Sequence, residues 1–165
     1  MFTTLNTTLY RIVFAEFANT VLEGAIHPEG RFHHADQPAL YASPSPDTAA
    51  IAIQIYLKPD DPPRVLVPLS LRNARMVDLR DIDTCKVLGI DPAWSTVPWS
   101  DERAAGRPAT SWRASDAARA AGADGMLYAS RRTPDRWHVV LFSWNIGNGA
   151  VLDIDGTPTR WSPKQ

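Results

Sequence analysis

The amino-acid sequence predicts a single α+β domain, and three observations lead to this class. The chain has 165 residues, a length that fits one hydrophobic core without a second domain. Predicted strands outnumber predicted helices, and the first of them, residues 7–14, has apolar residues at alternating positions, the pattern of a half-buried strand. No internal repeat divides the chain. We therefore expect one domain over residues 1–165, in which strands dominate and helices fill the gaps.

The first half of the chain predicts strands, an extended ribbon and a helix. The strands and the ribbon cover, in order, residues 7–14, 24–34 (the ribbon) and 38–43. Ser45 is a good N-cap, and Pro46 suits the first position of the helix. The helix then runs to Leu57 and stops before a loop of proline and aspartate. Because alanines and isoleucines cover most of its circumference, we expect this helix to be buried.

The second half adds strands, two helices and a long irregular stretch. The predicted strands are residues 64–71, 75–79, 125–130 and 138–144, and a last one around Trp161. One short helix surrounds Cys85, and another ends at Gly122. The irregular stretch 89–108 is long enough to be a functional loop.

The composition is that of a soluble globular protein, and it limits the classes of partner. Hydrophobic residues make up 44% and charged residues 21% of the chain, and the net charge is −1. That balance gives no electrostatic reason to expect nucleic acid or an anionic membrane as a partner. The N-terminus has no basic start, and no segment approaches the roughly 20 apolar residues that span a bilayer. We expect a cytoplasmic protein.

Cysteine and histidine usage gives no reason to expect a metal. The single cysteine, Cys85, excludes an internal disulfide and a multi-cysteine metal site. Because it lies in a stretch typical of a short, half-buried helix, we expect a buried structural thiol rather than a catalytic one. The adjacent histidines His33 and His34 would point to opposite faces of a strand and could not chelate one ion.

Polar residues on the predicted strands are the candidates for chemistry. The chain has no glycine-rich phosphate loop, no paired-histidine zinc motif and no nucleophile elbow. What remains is a scattered set: Arg11, Arg31, Tyr41, Ser130 and Arg131. Taken alone, each also has an ordinary structural interpretation: a surface ion pair for an arginine, a core position for the tyrosine, a turn cap for the serine.

Three stretches that contain these residues resemble the RES domain family. The first is "LYRI", near the start of the chain. The second, "GRFHHADQPALYASPSPDTA", is similar to the family's Gly-Arg-Trp ribbon, tyrosine strand and Ser-Pro helix start, and it is the most specific of the three. The third, "GADGMLYASRR", is similar to the block that ends at the family's serine. The resemblance spans nearly the whole chain.

The resemblance implies an ADP-ribosyltransferase-like fold, with two small packed β-sheets, flanking helices and a central cleft. Family members are toxins of bacterial toxin–antitoxin pairs. They cleave the nicotinamide–ribose bond of NAD, either destroying NAD by hydrolysis or phosphorolysis or transferring ADP-ribose to a protein. The implied substrate is therefore NAD, with no metal. The implied partners are a small antitoxin that covers the active site and, for a transferase, a target protein.

The family's arginine, tyrosine and serine fall on Arg31, Tyr41 and Ser130. Cleavage of this bond passes through an oxocarbenium-like state. Arginine can clamp a pyrophosphate, tyrosine can stack on the nicotinamide ring, and serine can hydrogen-bond a ribose hydroxyl or a phosphate oxygen. Arg11 and Arg131 are expected to add contacts to NAD. We expect Arg31, Tyr41 and Ser130 to converge in one pocket, with Arg11 at its edge.

The carboxylate that should stabilise the cationic state is missing. The resemblance places the family's glutamate at Ala52, and no glutamate lies between Glu29 and Glu102. Asp47, five residues earlier on the predicted helix, is ~140° away around the helix axis. Three explanations stay open: an alanine introduced to tame a toxic protein, a naturally silent variant, or an acid supplied from elsewhere. We expect Ala52 to face the pocket. The alternative function is a catalytically silent module that binds a nucleotide or a partner protein.

Overall fold

The seven strands that the structure describes belong to one hydrogen-bonded sheet. The structure is a computed structural model, and it describes residues 1–163. The strands are β1 (Phe2–Phe14), β2 (Leu40–Ala42), β3 (Arg64–Asp78), β4 (Gly125–Ala129), β5 (Trp137–Leu141), β6 (Val151–Ile154) and β7 (Thr159–Trp161). Their order is β1-β3-β4-β5-β2, and β6 and β7 also pair with β3. The pairings are antiparallel except that of β3 with β4. The α+β class is therefore confirmed.

The long strand β3 connects the two halves of the sheet. Along one edge it pairs with β1, and along the other it pairs in turn with β7, β6 and β4. The sheet curls back on itself, because Ser43, directly after β2, exchanges backbone hydrogen bonds of 2.7 and 3.0 Å with Tyr10 of β1. The two packed sheets that we expected are thus joined in one curved sheet. The strands predicted at 64–71 and 75–79 are both part of β3, and β6 was not predicted.

Helices occupy the connections between the strands. The α-helices are α1 (Pro46–Ile53), α2 (Ile82–Leu88), α3 (Trp99–Ala104) and α4 (Ser111–Ala120), and 3₁₀ segments cover Ala15–Glu23, Gln54–Tyr56 and Pro92–Thr96. The start of α1 is as predicted, since Ser45 Oγ accepts a hydrogen bond of 3.1 Å from the N–H of Thr48. The stretch 89–108 is more regular than predicted, because it contains a 3₁₀ segment and α3.

The prediction that α1 is a buried helix was wrong. Only Thr48 and Ala49, in its first turns, are buried. In the 3₁₀ turn that follows, Ile55 is 56% and Tyr56 57% exposed. A uniformly apolar pattern does not show which face of a helix is covered, and here the C-terminal part of the segment lies at the surface.

Apolar side chains form one core on each face of the sheet. Successive residues of β5 alternate between the two cores, with Val139 and Leu141 in one and Val140 in the other. The second core also contains Cys85, which is fully buried as expected, with its thiol donating to the carbonyl of Leu79 at 3.5 Å. In the described part of the chain, no helix is long and apolar enough to cross a membrane.

Candidate active site

Arg31 lies in a tight turn rather than in the extended ribbon that the sequence predicts. The N–H of Gly30 donates to the carbonyl of His33 at 2.9 Å, which closes the turn. The indole Nε1 of Trp112 donates to the Gly30 carbonyl at 2.8 Å, and Ser111 Oγ donates to the carbonyl of Arg31. The first two residues of α4 therefore fix the backbone of this turn by hydrogen bonds from their side chains.

The hydroxyl of Tyr41 fixes the same turn by hydrogen bonds to two of its residues. Its hydroxyl oxygen accepts a hydrogen bond of 2.9 Å from the N–H of Phe32 and lies 2.7 Å from Nδ1 of His33. The Nε2 of His33 is 2.9 Å from the carbonyl of His27, which can only accept. His33 is therefore protonated on Nε2, and Nδ1 accepts the hydroxyl hydrogen of Tyr41. Burial lowers the pKa of His33 and raises that of Tyr41, so both stay neutral at pH 7.

The guanidinium of Arg31 lies against an aromatic wall. Its Cζ is 4.9 Å from the ring centres of both Phe32 and Tyr128, a distance that suits cation–π contact. Its Nη2 donates to the carbonyl of Ser95 at 2.5 Å. The predicted functional loop thus contributes a backbone acceptor that orients Arg31. Burial is the main cause of a lowered pKa of Arg31, and the positive charge of Arg131 adds to it.

A row of polar side chains continues this wall along β4 and β5. Tyr128 is paired directly with His138, and the N–H of Ser130 donates to the carbonyl of Arg136 at 2.8 Å. Directly opposed residues of antiparallel strands share a face, and so do residues two apart on one strand. Tyr128, Ser130, Arg136 and His138 therefore lie on one face, the one on which Arg31 packs.

Two hydrogen bonds connect this row to the neighbouring strand and helix. Ser43 Oγ is 2.8 Å from Nδ1 of His138, and both residues are buried. Burial, with a further contribution from the charge of Arg31, lowers the pKa of His138 to about 4. On the other side, Arg136 Nη1 donates to Thr48 Oγ1 at 3.1 Å, which fixes the first turn of α1 against the β4–β5 turn.

The structure brings four of the sequence-predicted residues to one side of the sheet. Arg31, Tyr41, Ser130 and Arg131 surround the same stretch of β4 and β5, and the positive charge of Arg131 acts on Arg31. The hydroxyl of Tyr41, however, is turned into the Arg31 turn.

Arg11 lies elsewhere. Its Nη1 donates to the carbonyl of Val21 at 2.6 Å, and burial lowers its pKa to about 10. On β1 it shares the face of Leu9, which belongs to the core on the opposite side of the sheet from Tyr128. Arg11 thus holds the Ala15–Glu23 segment through its hydrogen bond to Val21. It does not lie on the face of the sheet that carries Arg31.

The position expected to carry a glutamate is at the surface of α1. Ala52 is exposed, so it does not point into the core. The groups with the largest electrostatic effect on Arg31 are Tyr128, Arg131, Tyr41 and Tyr56. Among residues 1–163, no group of acidic, histidine or cysteine side chains is arranged to hold a metal ion.

Sequence reasoning missed three residues of this site. Ser43 and Tyr128 each stand two positions from a residue that was identified, Tyr41 and Ser130, and so share its strand face. His138 is the second residue of β5, a strand that is otherwise apolar, and a polar residue at a buried position there is itself a signal. The pairing of His138 with Ser43 joins positions 95 residues apart, which no local pattern indicates.

Comparison with known proteins identifies a family and a similar fold. The RES domain family model matches residues 8–161. A solved structure of similar fold is a chain of the M. tuberculosis MbcT–MbcA toxin–antitoxin complex, with a TM-score of 0.63, 14% sequence identity, and coverage of 98% of this chain and 87% of that chain. No curated protein matches the sequence. Because the family match spans nearly the whole chain, this protein belongs to the RES domain family.

Proposed function

We propose that this protein is the toxin of a toxin–antitoxin pair and that its cleft binds NAD. In its active form the site would cleave the nicotinamide–ribose bond, with water, phosphate or a protein as the acceptor. Two findings support the proposal: membership of the RES domain family, and a fold similar to a chain of the MbcT–MbcA complex. We place the protein in the cytoplasm, where NAD is available to it.

The observation that carries the proposal is the environment of Arg31. Its guanidinium is half-buried against Tyr128, beside Arg131 and on the face that carries Ser130. A half-buried cation on which the positive charge of a second arginine, Arg131, also acts favours an anionic ligand. The pyrophosphate of NAD fits that requirement, because arginine binds phosphate oxygens bidentately.

The remaining residues divide between contact and positioning. In this proposal Ser130 hydrogen-bonds a ribose hydroxyl or a phosphate oxygen, and Arg131 adds positive charge at the rim. The Tyr128 ring offers an aromatic surface beside Arg31. Tyr41 contributes chiefly by fixing the turn that carries Arg31, since its hydroxyl is bonded within that turn.

The missing carboxylate limits the chemistry of this exact sequence. Cleavage builds positive charge on the ribose, and an alanine at position 52 cannot stabilise it. Binding of NAD in the ground state depends on the arginines and aromatic rings and does not need that charge. We therefore propose a protein that binds NAD but turns it over very slowly. The same observation favours the second candidate function, a catalytically silent module that binds a nucleotide or a partner protein.

A small antitoxin is the proposed protein partner. The 3₁₀ turn Gln54–Tyr56 exposes Ile55 and Tyr56, and Tyr56 is close enough to act on the charge of Arg31. An antitoxin that covers the cleft would bury these side chains. If so, Ile55→Asp weakens the complex with the protein encoded by the neighbouring gene, whereas Val87→Asp on α2, which is also exposed, leaves it intact. Equal binding by both variants contradicts this surface.

Calorimetric titration with NAD and with ADP-ribose tests the proposed site. Arg31→Ala should weaken binding by about 1.5–3 kcal/mol, the usual contribution of a charge-assisted hydrogen bond. Arg72→Ala is the matched control, because Arg72 forms an exposed ion pair of 3.2 Å with Asp153. An affinity unchanged by Arg31→Ala would make that arginine structural. A wild-type protein that binds neither compound would overturn the proposal as a whole.

A further inference from the structure

We propose that His138, oriented by Ser43, is a ligand-binding residue of this cleft and donates a hydrogen bond from its Nε2 to an uncharged oxygen of the ligand. This inference rests on the proposed function, because it assumes that a ligand occupies the space beside Arg31. The family resemblance does not point to His138, and the site described from the sequence does not include it.

The hydrogen bond to Ser43 determines which ring nitrogen carries the proton. Ser43 Oγ lies 2.8 Å from Nδ1 of His138, and the residue is 2% exposed. Among residues 1–163 the Ser43 hydroxyl hydrogen has no other acceptor, so it is donated to Nδ1. A neutral imidazole with an accepting Nδ1 carries its hydrogen on Nε2. His138 is therefore a donor at the nitrogen that points away from Ser43.

The Nε2 donor of His138 is left without a hydrogen-bond partner in the described part of the chain. Within the described residues it has no hydrogen-bond partner, although His138 as a residue is only 5% exposed. The one fully enclosed side-chain nitrogen or oxygen without a partner in that range is Nη1 of Arg119, so Nε2 of His138 retains access to solvent. A nearly buried strand residue with an unpaired donor that solvent can reach is able to meet a ligand acceptor.

The neighbours of His138 indicate which kind of acceptor it meets. Its ring centre is 5.6 Å from that of Tyr128, which in turn contacts the guanidinium of Arg31. Arg31 supplies the positive charge for a phosphate, whereas the low pKa of His138 keeps its imidazole neutral. A neutral N–H suits a carboxamide or ribose oxygen. The pair Ser43–His138 would thus recognise the uncharged part of a dinucleotide while Arg31 holds the charged part.

Four variants separate binding from folding. His138→Leu removes the donor and replaces the imidazole with an apolar side chain of similar size. His138→Gln retains an N–H near the position of Nε2, and Ser43→Ala removes the group that orients the ring. His27→Gln changes an exposed histidine and serves as the control. Each protein is first compared with the wild type by thermal unfolding and is then titrated with NAD.

We expect the affinity for NAD to differ among the four variants. His138→Leu weakens NAD binding about tenfold, the equivalent of one lost hydrogen bond with an unpaired acceptor left behind. His138→Gln and Ser43→Ala lie between His138→Leu and the wild type, and His27→Gln matches the wild type. Nitrogen NMR of the His138 ring shows the Nε2–H tautomer, and its Nε2 signal shifts when NAD is added.

Two results overturn the inference, and each is distinguishable from failure of the proposed function. If the wild type and His138→Leu bind NAD equally, His138 is structural while the NAD site stands. If the ring carries its proton on Nδ1, the donor is directed at Ser43 and the geometry is misassigned. A wild type that does not bind NAD overturns the proposed function, and the role of His138 with it.

Discussion

The hydroxyl of Tyr41 accepts a hydrogen bond from the N–H of Phe32 at 2.9 Å, and Phe32 directly follows Arg31 in the chain. The same hydroxyl donates to Nδ1 of His33. Tyr41 therefore acts on the candidate site through the backbone of the turn, by holding the residue whose charge faces the cleft. A buried network with every member paired gives Arg31 a single position before any ligand arrives.

Tyr41→Phe is expected to destabilise the protein and to weaken NAD binding together. The change leaves the Phe32 N–H and Nδ1 of His33 without a partner, and a buried unpaired group costs about 1–3 kcal/mol. Urea unfolding measures the stability. Tyr56→Phe, which removes a hydroxyl from a side chain that is largely exposed, should stay within about 0.5 kcal/mol of the wild type. Equal stability of Tyr41→Phe and the wild type would contradict this account of the turn.

Gly30→Ala is expected to displace the imidazole of His33, which is hydrogen-bonded to the hydroxyl of Tyr41. A Cβ at position 30 would lie 2.3 Å from Cε1 and 2.7 Å from Nδ1 of His33, so the imidazole must move. Overpacking of this kind costs about 1–3 kcal/mol. Gly149→Ala is the matched control, because the nearest atom to its added Cβ would be 3.4 Å away. The melting temperature should fall for the first variant only, and an unaltered melting temperature would show that the turn accommodates a methyl group.

Part of this fold and site could be predicted from the sequence because the signals are local. The cap at Ser45, the alternation in β1 and each of the stretches that resemble the RES domain family can be recognised within about twenty or fewer consecutive residues. The turn that carries Arg31 was misjudged, because its shape depends on Tyr41 and on Trp112, which is 82 residues away. The place of Arg11 was misjudged because strand alternation separates two faces without showing which of them holds the cleft.

The stability of the protein should fall as the pH is lowered from 6.5 toward 4. Burial depresses the pKa of His138 from 6.5 to about 4, and it also lowers that of His33. At pH values between about 4 and 6.5, the unfolded chain binds protons that the folded protein excludes, so acid favours unfolding. His138 alone should lower the free energy of unfolding by ~2 kcal/mol between pH 7.5 and 5.

Urea unfolding at a series of pH values measures this dependence. His138→Gln should make the curve less steep between pH 6.5 and 5, because the variant lacks one of the two buried histidines that titrate. A wild type and a His138→Gln variant with the same slope would mean that His138 is protonated in the folded protein near neutral pH.

Ala52→Glu is expected to increase NAD turnover. The position is exposed on α1, so a longer side chain can enter there without displacing the core. A carboxylate that reaches the nicotinamide ribose would stabilise the cationic state, and single electrostatic groups of this kind change rates by about 10²–10³. We therefore expect at least a hundredfold gain, measured as NAD loss and nicotinamide release.

Gln54→Glu is the matched control, since two residues along the chain correspond to a rotation of about 200°. In a growing bacterium Ala52→Glu should be toxic unless the antitoxin is present, whereas Gln54→Glu should be tolerated. If Ala52→Glu binds NAD but gains no activity, the chain is a binding module. If the wild type already consumes NAD rapidly, the acid comes from another residue.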